Sequence, residues 1–126
     1  MVDKFKIILN KIKTEKGSVA LFALLKMDEF TDRWTVLLSA DWAKEGDFEA
    51  FKYLHNIIKE NISSEELSTI ARFGVFTKTN HLVELLRKYK QNSRIQEEKV
   101  NGNVIHEGYI LESEETEDIT EVVPLG

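Results

Sequence analysis

The chain has no cysteine, which removes disulfides, thiolate metal sites and cysteine nucleophiles together and fits a reducing compartment. It also has no long hydrophobic run. The longest, Val19–Leu25, falls far short of the ~20 apolar residues needed to cross a bilayer. Lysines at 4, 6, 11, 13 and 16 break up the apolar residues of the N-terminal stretch, so the unbroken core of a signal peptide is missing there. These absences predict a soluble cytoplasmic chain with no membrane partner. Motifs that cradle phosphate, GxxxxGK[ST] and GxGxxG, do not occur, and Ser39 lacks the glycines of a GxSxG elbow. His55, His81 and His106 are scattered, with no HxxxH or HExxH, so spacing supports neither a metal site nor a cofactor. Internal repeats and low-complexity linkers are also lacking.

What is present is an uneven division of charge. Residues 1–96 carry a formal +3, whereas residues 97–126 set Lys99 alone against nine acids, a formal −8. A mildly basic body followed by an acidic end points to a segment that folds back on the body or screens it from polyanions. An apolar fraction of 42% with 10% aromatics excludes general disorder. At 126 residues one core is expected. The predicted organisation is a single domain over 1–111 and an acidic C-terminal tail over 112–126.

Hydrophobic spacing supplies the elements. Val2, Phe5, Ile8, Leu9 and Ile12 recur at helical intervals until Gly17 stops them. Ser18–Met27 and Arg33–Ala40 are apolar on both alternating faces, as strands covered on both sides of a sheet, and the short polar connector Asp28–Asp32 makes them an antiparallel hairpin. A helix over about 47–60 follows, with Asp47 as N-cap and Phe48, Phe51, Leu54 and Ile58 as its expected buried stripe. Ser63-Ser64-Glu65-Glu66 matches a capping box and predicts a short helix through Ala71. Arg72–Thr77 reads as a third strand. Thr79 or Asn80 then caps a helix whose inner face is Leu82, Leu85, Leu86 and Tyr89. Asn101-Gly102 suits a two-residue turn between Arg94–Val100 and Asn103–Leu111, because both residues tolerate positive φ, and the poorly apolar first strand belongs at an edge. The order αββα(α)βαββ predicts an α+β domain: a mixed or antiparallel sheet of about five strands with helices packed on it.

Candidate chemistry falls into three groups. Asp41, Glu45 and Asp47, with Glu49, cluster where the second strand gives way to a helix. Such carboxylates can bind Mg²⁺ or hold a raised pKa for acid/base work, which would make the chain a Mg²⁺-dependent hydrolase or nucleic-acid-processing enzyme; the competing reading is the ordinary acidity of a helix N-terminus. Arg72, Lys78, Arg87, Lys88, Lys90 and Arg94, with Tyr89 for base stacking, form the densest positive patch and would serve a nucleic-acid-binding adaptor, although a helix C-terminus favours the same residues. The third group suits a non-enzymatic interaction protein. It comprises Trp42, an anchor or a plug for one end of the core; Asn101, Gly102 and Tyr109 of the hairpin; and Ile119, Val122, Val123 and Leu125, apolar residues out of place in a purely solvating tail. The favoured expectation is this last one, a small regulatory or protein-interaction domain that self-associates through its C-terminal hairpin and tail.

Overall fold

The computed structural model describes residues 1–27, 32–44 and 46–114. The elements follow the predicted order: α1 (Val2–Lys16), β1 (Leu21–Met27), β2 (Trp34–Ser39), α2 (Phe48–Asn61), α3 (Ser64–Leu67), β3 (Ile70–Val75), α4 (His81–Leu86), β4 (Ser93–Val100) and β5 (Asn103–Ser113). The fold is α+β, built on one mixed five-stranded sheet in the order β3-β2-β1-β5-β4. β1 runs antiparallel to β2 and β5, and β4 antiparallel to β5. β2 and β3 are parallel, because α2 and α3 carry the chain back to the starting end between them.

The central place of β1 accounts for its lack of polar alternation. On one face Phe22 and Leu24, with Val36 and Leu38 of β2, pack on Phe5, Ile8 and Ile12 of α1 and Leu54 and Ile58 of α2. On the other, Leu21, Ala23 and Leu25 join Leu37, Val83 and Leu86 of α4, and Ile95 and Ile110 of the β4–β5 hairpin. Each large aliphatic side chain so buried contributes about 1.5–3 kcal/mol, which makes this two-sided burial the main stabiliser of the sheet.

Helix ends are secured as the sequence predicts. The Asp47 carboxylate accepts from the amides of Glu49 (3.0 Å) and Ala50 (3.2 Å). Ser63 and Glu66 form the reciprocal capping box, at 3.0 and 3.1 Å. Asn80, rather than Thr79, caps α4 by accepting from the amide of Leu82 at 3.0 Å. Such caps are worth about 1 kcal/mol each. Asn101 and Gly102 take φ of 51° and 78°, and Val100 pairs with Asn103 across them.

Four expectations need correction. The buried stripe of α2 is Ala50, Leu54, Ile57 and Ile58, whereas Phe48 is 66% exposed and Phe51 39%. α3 stops at Leu67 instead of continuing to Ala71, because the Thr69 amide and hydroxyl both turn back to the carbonyl of Glu66, releasing Ile70 to begin β3 two residues early. On α4, Val83 and Leu86 are the buried residues, while Leu82, Leu85 and Tyr89 are only partly covered. β5 continues past Leu111 to Ser113 because Glu112 and Ser113 still pair with Phe22 and Leu21.

Candidate functional site

The acidic candidates point in different directions. The Asp47 carboxylate is taken up by helix amides, and Asp41 lies exposed, 3.2 Å from Lys78 Nζ. Glu45 lies outside the described residues. Among the described residues no three histidine, aspartate or glutamate side chains gather as a metal would require.

The basic candidates are likewise dispersed, and Glu114, absent from the candidates the sequence suggests, holds two of them, Lys78 and Arg87. Arg87 is 9% exposed; its Nε donates to the Glu114 carbonyl at 3.2 Å, and its own carbonyl accepts from Ser113 Oγ at 3.0 Å. Lys78 bridges Glu114 (3.0 Å) and Asp41 (3.2 Å), and these two carboxylates, Glu114 first, raise its pKa against the smaller opposing effect of burial. The Tyr89 hydroxyl donates to Glu98, and burial followed by this bond pushes its pKa up to about 12. Arg72 is exposed, with Nε 3.2 Å from Thr35 Oγ1. Arg94 stands over the ring of its cross-strand partner Tyr109 at 5.7 Å. Lys88 and Lys90 face solvent.

Of the interaction candidates, Trp42 is half-buried and closes one end of the first core. Its Nε1 donates to the Ser18 carbonyl at 3.0 Å, and its ring meets Tyr53 edge to face at 6.0 Å. Asn101 and Gly102 form an exposed hairpin tip. Tyr109 is half-buried between Trp34 and Arg94; its hydroxyl donates to Glu107 at 2.7 Å, the first cause of its raised pKa. Ile119, Val122, Val123 and Leu125 lie outside the described residues.

A different surface emerges around β3. Phe48, Phe51 and His55 follow one another at i, i+3 and i+7 along α2, in a line flanking its buried stripe. Phe51 and His55 pack edge-on against Phe73 of β3, at 6.5 and 5.1 Å between ring centres. Phe48 stands further out, with Lys52 Nζ 5.5 Å from its ring centre. Together Phe48, Phe51 and Val75 line a shallow hollow of about 230 Å³ floored by Gly46 and Asp47. That is smaller than the ~300–1,000 Å³ usual for small-molecule sites and suits a single side chain. A larger open groove of about 750 Å³ between α1 and α2, edged by the 55% exposed Ile7, has a mixed polar lining including Lys11, Glu15, Glu60 and Asn61.

The two sheet edges differ in kind. β4 exposes Arg94, Gln96, Glu97, Glu98 and Lys99, and Glu97 takes a φ of 48°, which disturbs a regular ladder. Charge and irregularity of this sort discourage a further strand. β3 has the sequence Ile-Ala-Arg-Phe-Gly-Val, a single charge and no proline, and among the described residues its outer side pairs with no strand. The missed signal was available. Ala50, Leu54, Ile57 and Ile58 already make a complete helical stripe, which leaves Phe48 and Phe51 beside it. No family model, curated protein or solved structure matches this chain.

Proposed function

We propose that this chain is a non-enzymatic interaction domain that self-associates, with its C-terminal hairpin and C-terminal segment among its contact elements. The observation that carries this reading is the exposure of Phe48 and Phe51 on α2. A phenyl ring held largely in water offers apolar area that is worth about 25 cal/mol per Å² once covered. The Mg²⁺-dependent reading draws on an exposed Asp41 already paired with Lys78, and the nucleic-acid reading on Lys88 and Lys90, since Arg87 and Lys78 are engaged by Glu114. Both have less support.

Sedimentation equilibrium of the full chain tests the proposal. The expected mass is twice the 14.6 kDa of one chain, and Phe48→Ser combined with Phe51→Ser should return it to a single chain with an unchanged circular dichroism spectrum. A wild-type chain that stays monomeric at every concentration refutes self-association.

A further inference from the structure

Resting on the self-association reading, we infer that His55 sets the pH range of that contact: copies hold together while its imidazole is neutral and part when it is protonated. His55 stands on the same side of α2 as the exposed rings, one turn beyond Phe51. Both meet Phe73 of β3 edge-on, at 5.1 Å for His55 and 6.5 Å for Phe51. The imidazole is already half-buried. A surface that covers Phe48 and Phe51 runs on over this ring and removes its remaining water, which disfavours the charged form. Histidine is the side chain whose charge ordinarily changes between about pH 5 and 8, so His55 is the group on this face able to respond there.

The charges around His55 act in the same sense. Lys52, at i−3, and Lys59, at i+4, are its neighbours on the helix surface, both exposed, and Lys52 Nζ lies 5.5 Å from the Phe48 ring centre. The nearest acids of α2, Glu49 and Glu60, lie roughly 120° and 140° round the helix from it. β3 offers it the uncharged ring of Phe73, whereas Arg72, one residue earlier, turns to the other side of the sheet with Nε 3.2 Å from Thr35 Oγ1. α3 begins past the C-terminal end of α2; its Glu66 is taken up by Lys4 at 2.6 Å and its Glu65 faces solvent. Protonation of His55 therefore adds a third cation to the line of Lys52 and Lys59. In a two-fold contact the same patch faces itself, so each added charge meets the cationic line of the other copy. Burial and repulsion both weaken the hold of His55 on its proton in the assembled state. The assembly then binds fewer protons than two separate chains, and association strengthens as the pH rises and weakens as it falls.

Sedimentation equilibrium of the full chain at about pH 7.5 and about pH 5.5 tests the assignment, with His55→Gln as the variant that keeps a polar side chain and loses the titration. The wild-type dissociation constant should rise roughly tenfold or more at the lower pH, because each dimer holds two such groups, while that of His55→Gln should stay within about twofold. NMR titration of His55 in the wild type, dilute and concentrated, gives a second readout that does not depend on how the variant folds: its midpoint should fall on assembly. A wild type that assembles as well or better at the lower pH, a variant as pH-sensitive as the wild type, or a His55 midpoint indifferent to concentration overturns the assignment and leaves self-association standing. Chains that stay monomeric at every concentration and at both pH values remove self-association and this assignment together.

Discussion

Gly108 lies in the middle of the sheet with no room for a side chain, and replacing it with alanine gives a sharp expectation. On β5 it stands opposite Leu25 of β1 on one side and Ile95 of β4 on the other. A methyl group there would lie 2.9 Å from Leu25 Cδ2, 3.2 Å from Ile105 Cγ2 and 3.4 Å from Ile95 Cβ. Those three residues are 0%, 0% and 1% exposed, so none can swing into solvent to relieve the overlap. Overpacking by a methyl group costs about 1–3 kcal/mol. Alanine recovers about 0.4–1 kcal/mol by restricting the unfolded chain. Gly108→Ala should therefore destabilise by roughly 0.5–2 kcal/mol, a lower urea midpoint at an unchanged m-value. In a Leu25→Ala background, which itself costs about 2–5 kcal/mol, the added methyl enters vacated space and should become neutral or stabilising. If Gly108→Ala stabilises the wild type, or costs as much in the Leu25→Ala chain, the two residues are not opposed and the β1–β5 register derived above is wrong.

Two further outcomes follow from single side chains. Ser39 Oγ is buried with no hydrogen-bond partner among the described residues. Ser39→Ala removes an unmet polar group and should raise the urea midpoint by an amount equivalent to about 1 kcal/mol; a clear loss of stability would mean that the hydroxyl has a partner. Glu66 is held at a pKa of about 2, below the usual 4.5, first by the hydrogen bond from Lys4 Nζ at 2.6 Å and next by the Ser63 amide. Because its folded pKa is depressed, its contribution is complete above pH 4.5 and fades as the pH falls toward 2. NMR titration should find the Glu66 midpoint displaced upward in Lys4→Met, with a flatter acid limb of stability; an unchanged midpoint would exclude Lys4 as the chief cause.

The fold was legible wherever a local signal and the tertiary environment agreed. Asp47, Ser63 with Glu66, and Asn101-Gly102 form caps and turns through bonds closed within a few residues, so neighbouring sequence suffices to place them. The unbroken apolarity of Leu21–Leu25 likewise reports burial on both faces, the condition of a central strand. Phe48 and Phe51 were misplaced because periodicity ranks residues by apolarity and spacing. It does not say which of two adjacent helical stripes meets the sheet. The smaller Ala50 lets α2 approach the sheet along the Ala50–Leu54–Ile57 line, and the phenyl rings are left to the side. The basic residues misled for a related reason: Arg87 and Arg94 are close in sequence, but a helix end, a turn and a strand separate their directions. Nothing local announces that Glu114 returns to Lys78 and Arg87, since that contact depends on the whole sheet bringing the end of β5 back to α4.

The most direct trial of self-association is sedimentation over a dilution series. The full chain should sediment at about twice 14.6 kDa when concentrated and at 14.6 kDa when dilute, whereas Phe48→Ser/Phe51→Ser should stay at 14.6 kDa throughout. A wild type that remains monomeric at every concentration, or a variant that assembles as the wild type does, would contradict contact through the exposed phenyl rings of α2.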